Sequence, residues 1–308
     1  MAQPRLTLAA VLTALATVVA ALLASHVTTA IDLRAYDLLL SPTTPVEGAL
    51  PVTVVAIDDA SLAAFGQWPW PRDLVARLVT GLRDLGASVI ALDVLFSEPD
   101  RLTQGPGARG TPNDVALADA IAAGRVVTGY AFTFNGATKS ETSCTPPALP
   151  GTLVTAPATA GPEEHLFRAT GVLCSLDSLA RVSEAAGFLN VGVDTDGTLR
   201  RIPLVMTYNG QVYPSLALSA VRVALGAPAI TLTASADRPL QLVLGEASVG
   251  LDDRGTLSLR FRDPERDFAH VPAVDVLEGR VARGALQGHL VFVGATALGV
   301  RDSVSTPM

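Results

Sequence analysis

VVAIDDASLAAFGQWPWPRDLVARLVTGLRDLGASVIALDVLFSEPD, residues 54–100, is the stretch that decides the fold of this chain. The apolar, β-branched run Val52–Ile57 at its start predicts a strand buried on both faces. From about Pro71, apolar residues recur at helical spacing, and Gly86 suits the end of that helix. Ser88–Phe96 predicts the next buried strand. A strand, a helix and a strand within about 45 residues predict a right-handed parallel crossover.

The rest of the chain continues to alternate between helical and strand patterns. Asp194-Thr195-Asp196-Gly197 lies between two strand-like segments and predicts a β-hairpin. Residues 135–171 are rich in Gly, Pro, Thr and Ala, which predicts a loop-rich insertion. We therefore predict an α/β fold with a mixed, mostly parallel sheet flanked by helices. Further helices are predicted over residues 114–123, 214–226 and 273–280, and further strands over 126–134, 230–261 and 290–294.

A membrane anchor is predicted near the N-terminus, where residues 6–24 read LTLAAVLTALATVVAALLA without a charge. As a helix this segment would be about 28 Å long, close to the thickness of the bilayer hydrocarbon. Arg5 on the short N-terminal side predicts that residues 1–5 stay in the cytoplasm and that residues 30–308 are exported. We thus predict one transmembrane helix in the cytoplasmic membrane, in contact with lipid, followed by a periplasmic or extracellular domain.

A cleaved signal peptide is the alternative, because Thr28 and Ala30 are small residues that suit a cleavage site. The apolar run exceeds the roughly 7–15 residues of a signal-peptide core, which favours the uncleaved anchor. Ala16, Ala20 and Ala24 recur at helical spacing and would permit close helix contact in a homodimer.

Composition excludes some functions and leaves the cysteines open. The net charge is −7 and Lys139 is the one lysine, so no basic stripe exists and nucleic acid is not an expected partner. The four histidines are scattered without metal-ligand spacing, and we predict no metal site and no cofactor. In an exported domain Cys144 and Cys174 could form a disulfide or remain two thiols, which their spacing alone does not decide.

Acidic and aromatic residues follow the two strands of residues 54–100, where a parallel βαβ unit commonly binds ligands. The acidic residues could instead cap turns or pair with Arg72, and the tryptophans could simply pack. We predict a ligand pocket at this edge, in which Arg72 offers a planar fork to an anion and the carboxylates accept from amines or hydroxyls. The predicted lining residues are Asp58, Asp59, Trp68, Trp70, Arg72, Asp93 and Glu98.

Two other functions remain open. A membrane-anchored metal-dependent hydrolase could use the same acidic cluster, because divalent metals prefer carboxylate oxygens. A structural envelope protein would need no small ligand. No Ser/His/Asp or Cys/His constellation and no Gly-x-Ser-x-Gly motif is present, so we predict that this chain has no catalytic residues.

Several blocks together resemble a type-two CHASE domain, an extracellular sensory domain of bacterial transmembrane receptors. The resemblance covers roughly residues 30–307 and rests on the combination of blocks. They are AIDDASLAAFGQWPWPR (56–72), GASVIALDVLFSEPD (86–100), GFLNVGVDTDGTLRRIPL (187–204), YPSLALSAV (213–221) and HLVFVGATALGVRDSVSTP (289–307).

The resemblance implies a ligand-sensing module held outside the cytoplasmic membrane by its N-terminal helix. In such receptors further membrane helices and a cytoplasmic output domain follow, for example a nucleotide cyclase or a histidine kinase. The family provides no established ligand, so it assigns no binding residue. The sequence ends at Met308, directly after the last block, so we expect either a fragment of a longer receptor or a truncated form that anchors a sensor domain without an output domain.

Overall fold

The structure, a computed structural model, describes residues 51–297 except for several internal segments. The predicted anchor at residues 6–24 and the short segment 1–5 lie outside the described residues. Within the described part, no helix is long and apolar enough to cross a membrane. The segments left out are residues 101–110, 135–143, 145, 147–152, 156–164, 195, 228, 236–237 and 262–267.

The described chain contains six helices and fifteen strands. The helices are α1 (Asp59–Phe65), α2 (Arg72–Asp84), α3 (Pro112–Ala122), α4 (Asp177–Ala180), α5 (Leu216–Ala224) and α6 (Ala273–Leu277). The strands are β1 (Val52–Ile57), β2 (Val89–Leu92), β3 (Val126–Thr133), β4 (Leu153–Thr155), β5 (Gly171–Leu173), β6 (Ala185–Phe188), β7 (Arg201–Pro203), β8 (Val205–Tyr208), β9 (Gln211–Pro214), β10 (Ile230–Ser235), β11 (Arg238–Leu244), β12 (Ala247–Leu251), β13 (Thr256–Ser258), β14 (Ala269–Pro272) and β15 (Leu290–Ala295). Helices lie between β1 and β2, between β2 and β3, and again before β15.

The main sheet is mixed and mostly parallel. Its strand order among the described residues is β14-β1-β15-β2-β3-β5, and β6 also pairs with β3. The antiparallel member is β5, whereas β14, β1, β15, β2, β3 and β6 pair in parallel. The predicted α/β class with a mostly parallel sheet flanked by helices is therefore confirmed.

Alternate residues of β2 show how both faces of this sheet are covered. Ile90 and Leu92 belong to a core cluster that includes residues of α2, α3 and α6. Val89 and Ala91 belong to a second cluster that includes residues of α5. Because successive strand side chains point to opposite faces, α5 covers one face and α2, α3 and α6 cover the other. A strand buried on both faces reads as a continuous apolar run, which is why β2 carries no polar residue.

Among the described residues, a second sheet of four strands does not pair with the main sheet. Its order is β12-β11-β10-β4, and its apolar side chains form a separate core with residues of α5 and β8. The structure therefore has strands where the sequence predicts them at residues 230–261, and β10, β11 and β12 pair antiparallel. It also places β4, which falls inside the predicted loop-rich insertion, in parallel pairing with β10.

The two strands of the βαβ unit are parallel, as predicted, but they are not neighbours, because β15 lies between β1 and β2. At Asp194–Gly197 the turn forms, and the Asp194 N–H donates to the Thr198 carbonyl at 2.9 Å. The predicted hairpin around it is wrong, since β7 pairs with β13 and β8 pairs with β9. In both cases the pairing partner is a strand distant in sequence: β15 pairs with β1 and β2, and β13 pairs with β7.

Candidate ligand-binding site

The carboxyl ends of three parallel strands meet at one edge of the main sheet. Ile57 at the end of β1 is in register with Ala295 at the end of β15, and Leu92 at the end of β2 is in register with Val293. The Asp93 N–H donates to the Val293 carbonyl at 2.9 Å, which extends the ladder by one residue. The end of β15 therefore lies next to Asp93. The sequence of the βαβ unit alone did not predict this contact.

A cavity of about 690 Å³ opens beside these strand ends. We call it the tryptophan cavity. Five of the seven predicted ligand residues line it: Trp68, Trp70, Arg72, Asp93 and Glu98. The cavity is also lined by Pro69, Val94, Leu95, Ser97, Pro99, Asp100 and Ala295.

The two tryptophans have different environments. Trp70 is 2 % exposed, and its indole N–H donates to the Gly66 carbonyl at 2.9 Å. It packs edge-on against Phe65 and Trp68, with ring centroids 5.9 and 5.8 Å away. Trp68 is only partly buried. Trp70 thus anchors the segment between α1 and α2 in the core, and Trp68 offers an aromatic wall to the cavity.

Arg72 ties the first turn of α2 to the loop that follows β2. Its Nη2 donates to the Glu98 carbonyl at 3.3 Å, and its backbone N–H donates to Oδ2 of Asp100 at 2.9 Å. The guanidinium lies 4.5 Å from the ring centroid of Phe96, and its Nε is 3.8 Å from Oδ1 of Asp114. Burial lowers the pKa of Arg72 from its ordinary value, and the nearby carboxylates of Asp114 and Asp100 oppose that shift.

Asp100 and Asp114 join two helix N-termini and were missed by the sequence interpretation. Asp114 belongs to a capping box with Thr111 at the start of α3, and its carboxylate also accepts from the Asp100 N–H at 3.3 Å. Asn113 donates to Oδ2 of Asp100 at 2.9 Å, the same oxygen that accepts from the Arg72 N–H. The sequence signal was present as Thr111-x-x-Asp114 with Pro112 between them, a pattern typical of a helix start.

The structure places the other two predicted residues outside the cavity lining. Asp58 is the N-cap of α1, where its Oδ1 accepts from the Ser61 N–H at 2.9 Å and from the Ser61 hydroxyl at 2.6 Å. The Ser61 hydroxyl in turn accepts from the Val274 N–H at 3.0 Å, which links α1 to α6. Asp59, the first residue of α1, is exposed. The acidic pair after β1 therefore starts a helix that the sequence interpretation did not predict.

The donor set for a metal is incomplete at this edge. In the described part of the chain, no group of three or more His, Cys, Asp or Glu side chains lies close enough to hold a metal ion. The metal-dependent hydrolase would need such a group. The tryptophan cavity instead combines an aromatic wall with carboxylates at its rim, which suits noncovalent binding of a small organic molecule.

The cysteines do not line this cavity. Cys144 and Cys174 form a disulfide, the pairing that the sequence left open. Cys174 directly follows β5, so the bond attaches residue 144 to the far edge of the main sheet.

Comparison with known proteins gives one match. A family model described as the CHASE2 domain matches residues 12–308 of the chain. Searches of curated proteins and of solved structures found no match.

Proposed function

Because the chain belongs to the CHASE2 domain family, whose members are sensory extracellular domains of signalling receptors, we propose that it is the ligand-sensing part of a membrane-anchored bacterial receptor. Residues 6–24 would anchor it in the cytoplasmic membrane, with the described domain outside. The family is sensory rather than catalytic. What supports ligand binding is the tryptophan cavity, around which five residues singled out from the sequence converge at the carboxyl ends of parallel strands.

The chemistry of the cavity lining favours a ligand rich in hydrogen-bond donors. Asp93 and Glu98 are exposed carboxylates, and the partly buried Trp68 adds a flat apolar surface. An amine or a polyhydroxylated molecule can donate to the carboxylates while it packs on the indole. Arg72 is engaged with the Glu98 carbonyl and with Asp114, so in this proposal it positions the rim of the cavity.

The hydrogen bonds of Asp100 could couple ligand binding to the rest of the domain. Residues 93–100 carry the rim, and Asp100 is hydrogen-bonded to the first residue of α2 and to the N-terminus of α3. A ligand that prefers one arrangement of this loop would therefore bias the positions of both helices. In the receptor, such a bias would reach the output domain through the membrane helices or their pairing in a homodimer.

The proposal can be tested by a thermal-shift screen of the full chain against amines, amino acids and sugars. A ligand at 100 times its Kd should add about 2.7 kcal/mol to the free energy of unfolding, which shifts the melting temperature by a few degrees. The shift should shrink in Trp68→Ala, Asp93→Asn and Glu98→Gln. It should persist in Asp59→Asn, because Asp59 is an exposed carboxylate outside the cavity.

Each variant is first melted without ligand, so that a loss of binding is separated from a loss of folding. A shift that is equal in all four variants would place the ligand elsewhere and contradict the proposed site. Stabilisation by divalent cations alone, removed by Asp58→Asn, would favour the metal-dependent hydrolase instead.

A further inference from the structure

A second cavity, of about 620 Å³, lies where the end of β3 meets β7 and the β12–β13 turn. It shares no lining residue with the tryptophan cavity. We call it the arginine cavity, because Arg201 and Arg254 line it. Neither the family match nor the proposed sensory site accounts for it.

Apolar side chains are concentrated around this cavity and reach solvent. Of the eight large hydrophobic side chains that are exposed in the described residues, four line it: Phe134, Phe167, Val191 and Val193. Val191 is 60 % exposed and Val193 is 51 % exposed. Met206, which is buried, forms part of the cavity wall. Exposed apolar surface that is gathered in a concave site indicates a binding site rather than chance exposure.

Both carboxylates of the cavity already have partners. Oδ2 of Asp194 is 3.1 Å from Nη1 of Arg200, whose side chain is 4 % exposed. Oδ1 of Asp252 accepts from the N–H groups of Arg254 at 3.0 Å and Thr256 at 2.8 Å, and Oδ2 accepts from the Thr256 hydroxyl. Asp194 is therefore paired with a buried guanidinium, whereas Asp252 keeps its negative charge and uses both carboxylate oxygens to hold its own turn.

The two arginines of the lining are differently placed. Arg254 lies over the ring of Phe167, with its Cζ 5.8 Å from the centroid. Arg201 is exposed on β7. Within the described ranges, neither guanidinium forms an ion pair with a carboxylate. A cavity in a chain of net charge −7 thus presents two guanidinium groups beside an apolar wall, while both carboxylates of its lining already have partners.

We propose that the arginine cavity binds a small amphipathic anion, a carboxylate that carries an aromatic or aliphatic body. The apolar body packs against Phe134, Phe167 and Val193, and the carboxylate accepts hydrogen bonds from Arg201 and Arg254. A guanidinium offers paired donors that match a carboxylate, and such charge-assisted bonds are stronger than neutral ones. The site is separate from the tryptophan cavity, so the domain has two sites for ligands of opposite character.

Phenylacetate serves as the probe, titrated calorimetrically into the full chain held in lipid nanodiscs. Arg201→Gln and Arg254→Gln should each weaken binding by about tenfold, because each removes a hydrogen bond to a charged group. Arg77→Gln is the matched control. Arg77 is also exposed and lies on α2, outside the cavity, so its replacement should leave the affinity unchanged.

Two related probes separate the parts of the recognition. Phenylacetamide keeps the ring without the charge, and acetate keeps the charge without the ring, so both should bind at least tenfold more weakly than phenylacetate. No binding of phenylacetate, equal binding of phenylacetamide, or an equal loss in Arg77→Gln would each overturn the proposal. The free variants should unfold cooperatively with melting temperatures close to that of the parent chain, since neither guanidinium forms an ion pair with a described carboxylate and Arg254 loses only its contact with the Phe167 ring.

Discussion

At the scale of single residues, the environment of a side chain decides which of its possible roles it performs. Arg72 was interpreted from the sequence as a fork for an anionic ligand. In the structure its side chain is 11 % exposed and its guanidinium bridges the Glu98 carbonyl and the Asp114 carboxylate. Arg201 and Arg254, which the sequence did not distinguish from other arginines, line the arginine cavity and form no ion pair with a described carboxylate.

Asp196 provides a pH-dependent prediction at this scale. Its carboxylate accepts from Arg200 and from the Thr198 N–H at 3.0 Å, and the Arg200 contact is the main cause that lowers its pKa to about 2. The unfolded value is about 3.9, so the stabilising contribution is fully present above about pH 4 and is lost as the pH falls through about 2. Urea unfolding should therefore show Asp196→Asn less stable than the parent at pH 5, with a difference that shrinks toward pH 2.

The control repeats the urea unfolding measurements from pH 5 to pH 2 in a chain that carries Arg200→Gln. In that background the Asp196 carboxylate has no main partner. Asp196→Asn should then change the free energy of unfolding little at any pH between 5 and 2. A difference between parent and Asp196→Asn that stays constant from pH 5 to pH 2 would contradict this assignment.

At the scale of elements, helix α5 packs unusually close to strand β6 of the main sheet. The Ser219 hydroxyl donates to the Ala186 carbonyl at 2.8 Å, and Phe188 is bridged to Ser215 at the start of α5. A Cβ placed on Gly187 would lie 2.5 Å from backbone atoms of Leu216. Backbone atoms cannot move aside as a flexible side chain can, so α5 requires glycine at this position of β6.

Gly187→Ala should therefore destabilise the domain by about 2 kcal/mol or more, because α5 must shift away from the sheet. Equilibrium urea unfolding measures the change. Gly124→Ala is the matched control, since a Cβ there would meet its nearest neighbours, Val126 and Arg83, at 3.7 and 3.8 Å. These are ordinary contact distances, and the control should change stability by less than about 1 kcal/mol. Equal effects of the two substitutions would contradict the close-packing argument.

At the scale of the whole molecule, segments far apart in sequence complete one another. The last strand, β15, lies in the centre of the main sheet between β1 and β2. The disulfide between Cys144 and Cys174 joins positions that are 30 residues apart and attaches residue 144 to the sheet edge. Both features link segments that are far apart in sequence and so restrict the conformations of the chain.

Replacing both cysteines with serine should lower the free energy of unfolding. A closed loop of about 30 residues corresponds to about 3–4 kcal/mol in the chain-entropy description, since the cross-link restricts the unfolded chain. Urea unfolding of the Cys144→Ser, Cys174→Ser variant should match that of the parent chain treated with a reductant. The reductant should have no effect on the variant itself. A parent chain whose unfolding is insensitive to reductant would contradict a stabilising disulfide.

Local sequence determined the features that depend on near neighbours. The buried strands, the helix from Arg72 to Asp84 and the α/β class follow from the period of the apolar residues, because each element must bury one face or both. The turn at Asp194–Gly197 was also predictable, since its hydrogen bonds close within four residues. The family blocks likewise lie in continuous stretches of the chain and could be recognised without coordinates.

Only the tertiary structure decided which of these elements are neighbours. The insertion of β15 between β1 and β2 sets Gly294 beside Asp93, and the tertiary structure also decides that Asp58 caps α1 instead of lining the cavity. The arginine cavity draws on segments from Phe134 to Thr256, and no local pattern connects them. Periodicity reports which face of an element is buried, whereas strand order and cavity lining depend on contacts between distant residues that no short stretch of sequence contains.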